Sequence, residues 1–189
     1  MEVRPPQRRW LPRLPQQVAD ALLGVLVTLL QVSLLLVVQP YEGGRLRYTE
    51  PGVLAVLLVA AQGLPLAWRR RRPLLVLVVV LLANTIYYAL GFPQTGFDFA
   101  LPVALYSAAA YTGRRSSLLA AVATMASFVA LYAFEVGPFW ASVPLSFMAW
   151  LLAIFAALWV WGRYLQVRRA YTAELEARAE RAERDRAAE

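Results

Sequence analysis

The sequence predicts an all-α membrane protein, a six-transmembrane-helix bundle followed by a cytoplasmic, coiled-coil-like helical extension. Three observations predict it. Of 189 residues, 60% are apolar and 16% charged, far from the roughly 25% charge of a soluble domain. The apolar residues fall in long runs punctuated at about 20-residue intervals, the length a helix needs to cross hydrocarbon. Four consecutive arginines, Arg69 to Arg72, separate two of these runs. At roughly 2.5 to 3.5 kcal/mol per arginine at mid-bilayer they must stay on one face, so the flanking runs become two spans joined on the cytoplasmic side.

Residues 1–17 read as a cytoplasmic N-terminal segment and residues 18–161 as the transmembrane domain. Arg8 and Arg9 ahead of an apolar run suggest an export signal, but the run from Val18 to Val38 exceeds a signal core. It ends at Gln39, Pro40 and Tyr41 without a small-residue cleavage pattern, so it stays as the first span. The second, Val53 to Trp68, and the fourth, Phe97 to Tyr111, are short for a spanning helix and call for thinned bilayer or extension into the interface. The third, Pro73 to Leu90, the fifth, Ser116 to Phe134, and the sixth, Ala141 to Trp161, complete the bundle. A strand reading fails because runs such as Leu74 to Ala83 are apolar on every side, whereas a barrel strand alternates. Gly91, Pro93 and Gly96, and then Gly137 and Pro138, make tight outer turns. The pair Gly43 and Gly44 lacks the strand and helix start of a phosphate loop.

All 19 basic residues are arginine. In the six-span topology 17 of them face the cytoplasm, with only Arg45 and Arg47 outside, so the positive-inside rule puts both termini in the cytosol. The net charge of +7 is spread over inner loops instead of gathered on one face, so no nucleic-acid partner is expected. The lysine-free composition suggests a GC-rich bacterial genome and a bacterial cell membrane.

The chain has no histidine and no cysteine. That removes thiolate metal sites, a histidine general base, a serine triad with histidine and a phosphohistidine. No catalytic, cofactor-binding or metal-binding residue is assigned, and the chain is not expected to be an enzyme. Among the acids, Asp20 reads as a helix-start residue favoured by the helix dipole. Asp98 and Glu135, with Glu42 and Glu50, read as solvated outer residues in preference to a mouth for a cation or basic peptide. Gln31, Ser33, Gln62, Asn84, Thr85 and Ser127 read as packing glue at roughly 0.6 kcal/mol per bond, with Asn84 the first to mutate. Small residues at spacing four, Ala149, Ala153 and Ala157, and Ala126 and Ala130, predict close helix approach. Tyr87, Tyr88, Phe92, Phe139 and Trp140 form an outer aromatic belt rather than a ligand cage. Trp68, Trp159, Trp161 and Tyr164 form the cytoplasmic belt.

At residues 162–189 composition switches to interspersed arginine, glutamate and alanine. Glu174 with Arg178 and Glu180 with Arg184 are spaced for helical ion pairs. Val167, Tyr171, Leu175, Ala179 and Ala182 form a narrow apolar seam suited to one partner helix, here a homodimer. Gly162 is a candidate hinge. No stop signal ends the helix, so the chain reads as cut from a longer protein.

This order of features resembles the N-terminal membrane input region of actinobacterial two-component sensor histidine kinases that pair with LuxR-type response regulators. The likeness is carried by PLAWRRRRPLLVLVVVLLANTIYYALGFP at Pro65 to Pro93, the GRR loop at Gly113 to Arg115, and WGRYLQVRRAYTAELEARAERAERDRAAE at Trp161 to Glu189. It implies a sensory module, embedded in membrane lipid, whose last span signals to a downstream kinase core absent from this chain. A lipid, physical or small-ligand stimulus would be the input. A multi-pass membrane scaffold and a small transporter are the alternatives.

Overall fold

The computed structural model describes residues 15–37, 48–94 and 98–188, with side chains as far as residue 186. The expectations placed on Arg4, Arg8, Arg9, Arg13, Glu42 to Gly44, Arg45, Arg47, Gly96 and Phe97 lie outside the described residues. Every regular element among the described residues is helical: α1 (Gln16–Val37), α2 (Val53–Gly63), α3 (Pro73–Ala89), α4 (Ala100–Tyr111), α5 (Arg114–Ala133), α6 (Gly137–Trp140) and α7 (Leu145–Ala188). A 3-10 turn, Leu64–Trp68, continues α2. Its proline, Pro65, has no N–H to give to an α-helical ladder, and the tighter turn carries the chain into the arginine block. Pro73 restarts α3 at a first-turn position, where its missing N–H costs nothing.

Among the described residues three helices, Gln16–Val37, Arg114–Ala133 and Leu145–Arg186, are long and apolar enough to cross a membrane, while Val53–Trp68, Pro73–Ala89 and Ala100–Tyr111 are shorter. Helix length and composition therefore supply three candidate spans and not the six expected. The predicted fourth span loses its first residues because α4 begins only at Ala100; its 12 residues reach about 18 Å. The predicted sixth starts at Leu145 instead of Ala141, since Gly137–Trp140 winds its own short turn. Gly137 holds that turn at φ +76°, and an added Cβ would stand 2.3 Å from the carbonyl oxygen of Tyr88.

The core is built round α4. Ala100, Leu101, Ala104, Leu105, Ser107, Ala108 and Ala109 are all fully buried, and the many alanines let α3, α5 and α7 close on them. The outward faces stay apolar: Leu26, Leu57 and Leu119 are 63%, 60% and 69% exposed. A water-soluble monomer rarely carries such a surface.

Two expectations about small residues change. Ala126, Ala130, Ala149, Ala153 and Ala157 all lie on exposed faces, so close approach within this chain occurs elsewhere. α7 runs through Gly162 without a break, so Gly162 is no hinge. A Cβ there would lie 2.7 Å from the Cβ of Ala109 and 2.9 Å from the Tyr106 carbonyl oxygen. Glycine at 162 is what lets α7 lie directly against α4.

Candidate functional site

Two polar clusters and one cavity occupy opposite ends of the bundle. At one end Asp20, expected as a helix-start residue, lies beyond the first turn of α1 and is 3% exposed on its inner face. Arg69 donates to its Oδ1 from Nε at 3.0 Å and from Nη2 at 2.8 Å, and Arg70 Nε lies 2.7 Å from Oδ2. The arginine block is thus fastened to α1.

Arg70 also lies over the ring of Tyr111 at 5.8 Å, and Arg169 of α7 approaches the same ring at 5.7 Å. Beside it, the carbonyl of Thr112 at the end of α4 accepts from Gln166 Nε2 at 2.9 Å and Arg163 Nη1 at 3.4 Å. That carbonyl is one of the last four of a helix, which have no intrahelical donor. Cationic and amide side chains from α7 supply it. Gly162, Arg163, Gln166 and Arg169 together clamp α7 to the C-terminal end of α4.

At the other end of α4 stands Asp98. Its Oδ1 accepts from the N–H groups of Ala100 and Leu101 at 3.0 and 3.4 Å, capping the helix. Gln31 Nε2 donates to the same oxygen at 3.1 Å and Asn84 Nδ2 to Oδ2 at 2.6 Å. Gln31 lies eleven residues beyond Asp20 on α1, about 16 Å along the axis, and six residues short of the helix end. Asp98 is therefore drawn inward between α1 and α3, against the expectation of a solvated outer residue. Gln31 and Asn84 are more than packing glue, because together they hold one carboxylate. Thr85 and Ser127 meet at 3.4 Å, as glue would.

Beside Asp98 lies a cavity of about 170 Å³, lined by residues of α3, α4, α5, α6 and α7. Its wall is aromatic and continuous. Phe147 neighbours Phe139 at 5.9 Å, Phe139 neighbours Trp140 at 5.0 Å, Trp140 neighbours Phe128 at 5.6 Å and Phe128 neighbours Phe155 at 5.0 Å. Tyr88 stacks on Phe139 at 5.7 Å. Tyr88 and Trp140, expected in an outer belt, are 6% and 2% exposed and face inward. At the far end Trp68, Trp161 and Tyr164 are outward-facing and more than half exposed, as a belt requires. Trp159 instead donates to the Ser117 carbonyl at 3.0 Å.

Sequence reasoning singled out Asn84 but missed Asp98 and the ring of aromatics. The signal available was the coincidence of Gln31, Asn84 and Asp98, three polar residues in or beside apolar runs.

A family model described as Domain of unknown function (DUF7134) matches residues 7–169. No curated protein and no solved structure matches the chain. The matched stretch takes in the bundle, the cavity and the clamp as far as Arg169.

Proposed function

Starting from the fact that the chain belongs to the DUF7134 family, a domain of unknown function, we propose that it is a membrane-embedded sensory input module of the two-component histidine kinase type. Its last helix relays a stimulus from one side of the bilayer to a kinase core in the cytosol. One observation carries the reading. α7 lines the aromatic cavity with Phe147 and Phe155, is clamped to the end of α4 by Gly162 and Gln166, and continues as one helix to Ala188. Its 44 residues extend about 66 Å, roughly twice the hydrocarbon thickness. A rod of this kind converts a change at the cavity into tilt or rotation outside the membrane, provided the stimulus interacts differently with two states.

In this reading the chain crosses six times, with both termini cytosolic. The short α4 is accommodated because its neighbours bury it, and it need not reach both surfaces when Asp98 caps it inside the bundle. The non-helical backbone from Phe92 to Gln94 is tolerable at depth where protein covers it; Phe92 and Pro93 are buried, and Pro93 accepts a hydrogen bond from the Tyr87 hydroxyl at 2.7 Å. Outside the bundle, Val167, Tyr171 and Leu175 are 60%, 62% and 45% exposed on a helix whose polar face carries the Glu174–Arg178 pair and, at 3.3 Å, the Glu180–Arg184 pair. That exposed seam supports pairing with a second copy, and the response regulator would be engaged by the kinase beyond it. A scaffold would use the same tail but has no need of the cavity.

The test is helical phase. With the chain fused to a histidine kinase core, one to four residues are inserted singly after Tyr164. Kinase output is expected to swing with insertion number and to recover near the fourth, about one helical turn. Output that ignores phase would exclude the relay.

A further inference from the structure

We infer that the aromatic cavity beside Asp98 is a binding site for a small organic cation, a protonated amine carried on a body about the size of a single ring. The inference rests on the sensory reading only for its consequence in signalling, since it names the stimulus; binding itself is independent.

The size follows from the cavity. Its volume of about 170 Å³ is close to the roughly 150 Å³ that takes one benzene ring, and too small for an acyl chain. The apolar body follows from the wall, where Tyr88, Phe128, Phe139, Trp140, Phe147 and Phe155 present ring surface on several sides.

The charge follows from Asp98. Two backbone N–H groups and two side-chain amides all donate to its carboxylate, the arrangement of an acceptor-only anion. Among the described residues no arginine pairs with it: the ion pairs involve Asp20, Glu174 and Glu180. Among the described residues no cationic side chain lines the cavity either. A partly buried anion at the edge of a box of ring faces attracts a cation both by charge and through the ring quadrupoles. An anionic ligand would be repelled.

Two unsatisfied atoms add direction. Among the described residues, Asn84 Oδ1 and Trp140 Nε1 are buried without a hydrogen-bond partner, and both residues line the cavity. Buried polar groups are rarely left unpaired. Asn84 Nδ2 is committed to Asp98, so the amide orientation is fixed and Oδ1 is left to accept an ammonium N–H. Trp140 N–H is left to donate to an oxygen elsewhere on the ligand.

The test uses three probes of one size on the purified full chain in an uncharged maltoside detergent, read by titration calorimetry: 2-phenylethylammonium, 2-phenylethanol and 3-phenylpropionate. The ammonium is expected to bind at least about tenfold tighter than the alcohol, and the carboxylate not to bind detectably. Asp98→Asn keeps a side chain able to cap α4 and is expected to bring ammonium and alcohol within about twofold of each other. Should that variant not fold, the probe comparison on the unmodified chain still decides. Trp140→Phe removes an N–H for which the ammonium probe has no acceptor oxygen, and is expected to leave the affinity for that probe within about twofold. Equal affinity for ammonium and alcohol, no binding of any probe, or an ammonium preference that survives Asp98→Asn would overturn the site. A fused kinase that ignores a probe shown to bind would count against the relay and not against the site.

Discussion

Replacing Asp98 with alanine is expected to destabilise the bundle by about 3 to 5 kcal/mol, because four donors lose their acceptor in one step. The two α4 N–H groups lose a cap worth about 1 kcal/mol, and the Gln31 and Asn84 amides are left buried at about 1 to 3 kcal/mol for each group not rescued by water. Thermal unfolding in detergent should fall by roughly 10 °C, taking about 2 to 4 °C per kcal/mol for a chain of this size. Asn84→Ala removes one of the four bonds and should cost about a third as much. If Asp98→Ala unfolds at the same temperature as the parent chain, the carboxylate is solvated and the inward placement of residue 98 is wrong.

The second large effect is expected at the other end of α4. Asp20→Ala strands Arg69, which is 18% exposed at the side chain, beside the hole left by a 4% exposed carboxylate. Breaking one partner of a buried pair costs about 3 kcal/mol or more, since the surviving charge is uncompensated. The contrast is Arg70→Ala. Arg70 is 35% exposed, and Arg69 continues to satisfy Asp20, so the loss should be about 1 kcal/mol or less. Calorimetric unfolding of the two variants side by side gives the comparison, and equal losses would show that Asp20 does not depend on Arg69.

Much of the helical architecture was legible in the linear sequence. Composition, run length and the arginine block predict the helices and most of their bounds, and the i,i+4 spacing of Glu174 with Arg178 predicts a pair that does form. These are local or additive properties, which periodicity reports directly. The site was not legible for a physical reason. Gln31 and Asp98 are 67 positions apart, and nothing in either neighbourhood announces the other. An aspartate two residues before a helix looks the same in sequence whether it caps that helix in water or inside a bundle. Tyr88 and Trp140 illustrate the same ambiguity, since an aromatic residue near a helix end serves equally as an interfacial anchor or as a cavity wall. Gly162 misled in a different way. Its conformational freedom suggested a hinge, whereas its lack of a side chain is what α4 needs. Run lengths also overstated the spans, because the apolar run that ends at Tyr111 gives no sign that its helix begins only at Ala100.

The central claim is that α7 carries information from the cavity end of the bundle across the membrane into the cytosol. The chain has no cysteine, so single thiols can be introduced one at a time and labelled in intact and permeabilised cells with a membrane-impermeant maleimide. Ser142→Cys, at an exposed turn on the cavity side, is expected to label in intact cells. Gln17→Cys, Arg71→Cys and Thr172→Cys are expected to label only after permeabilisation. Labelling of residues 142 and 172 from the same side, or of residues 71 and 172 from opposite sides, would contradict it.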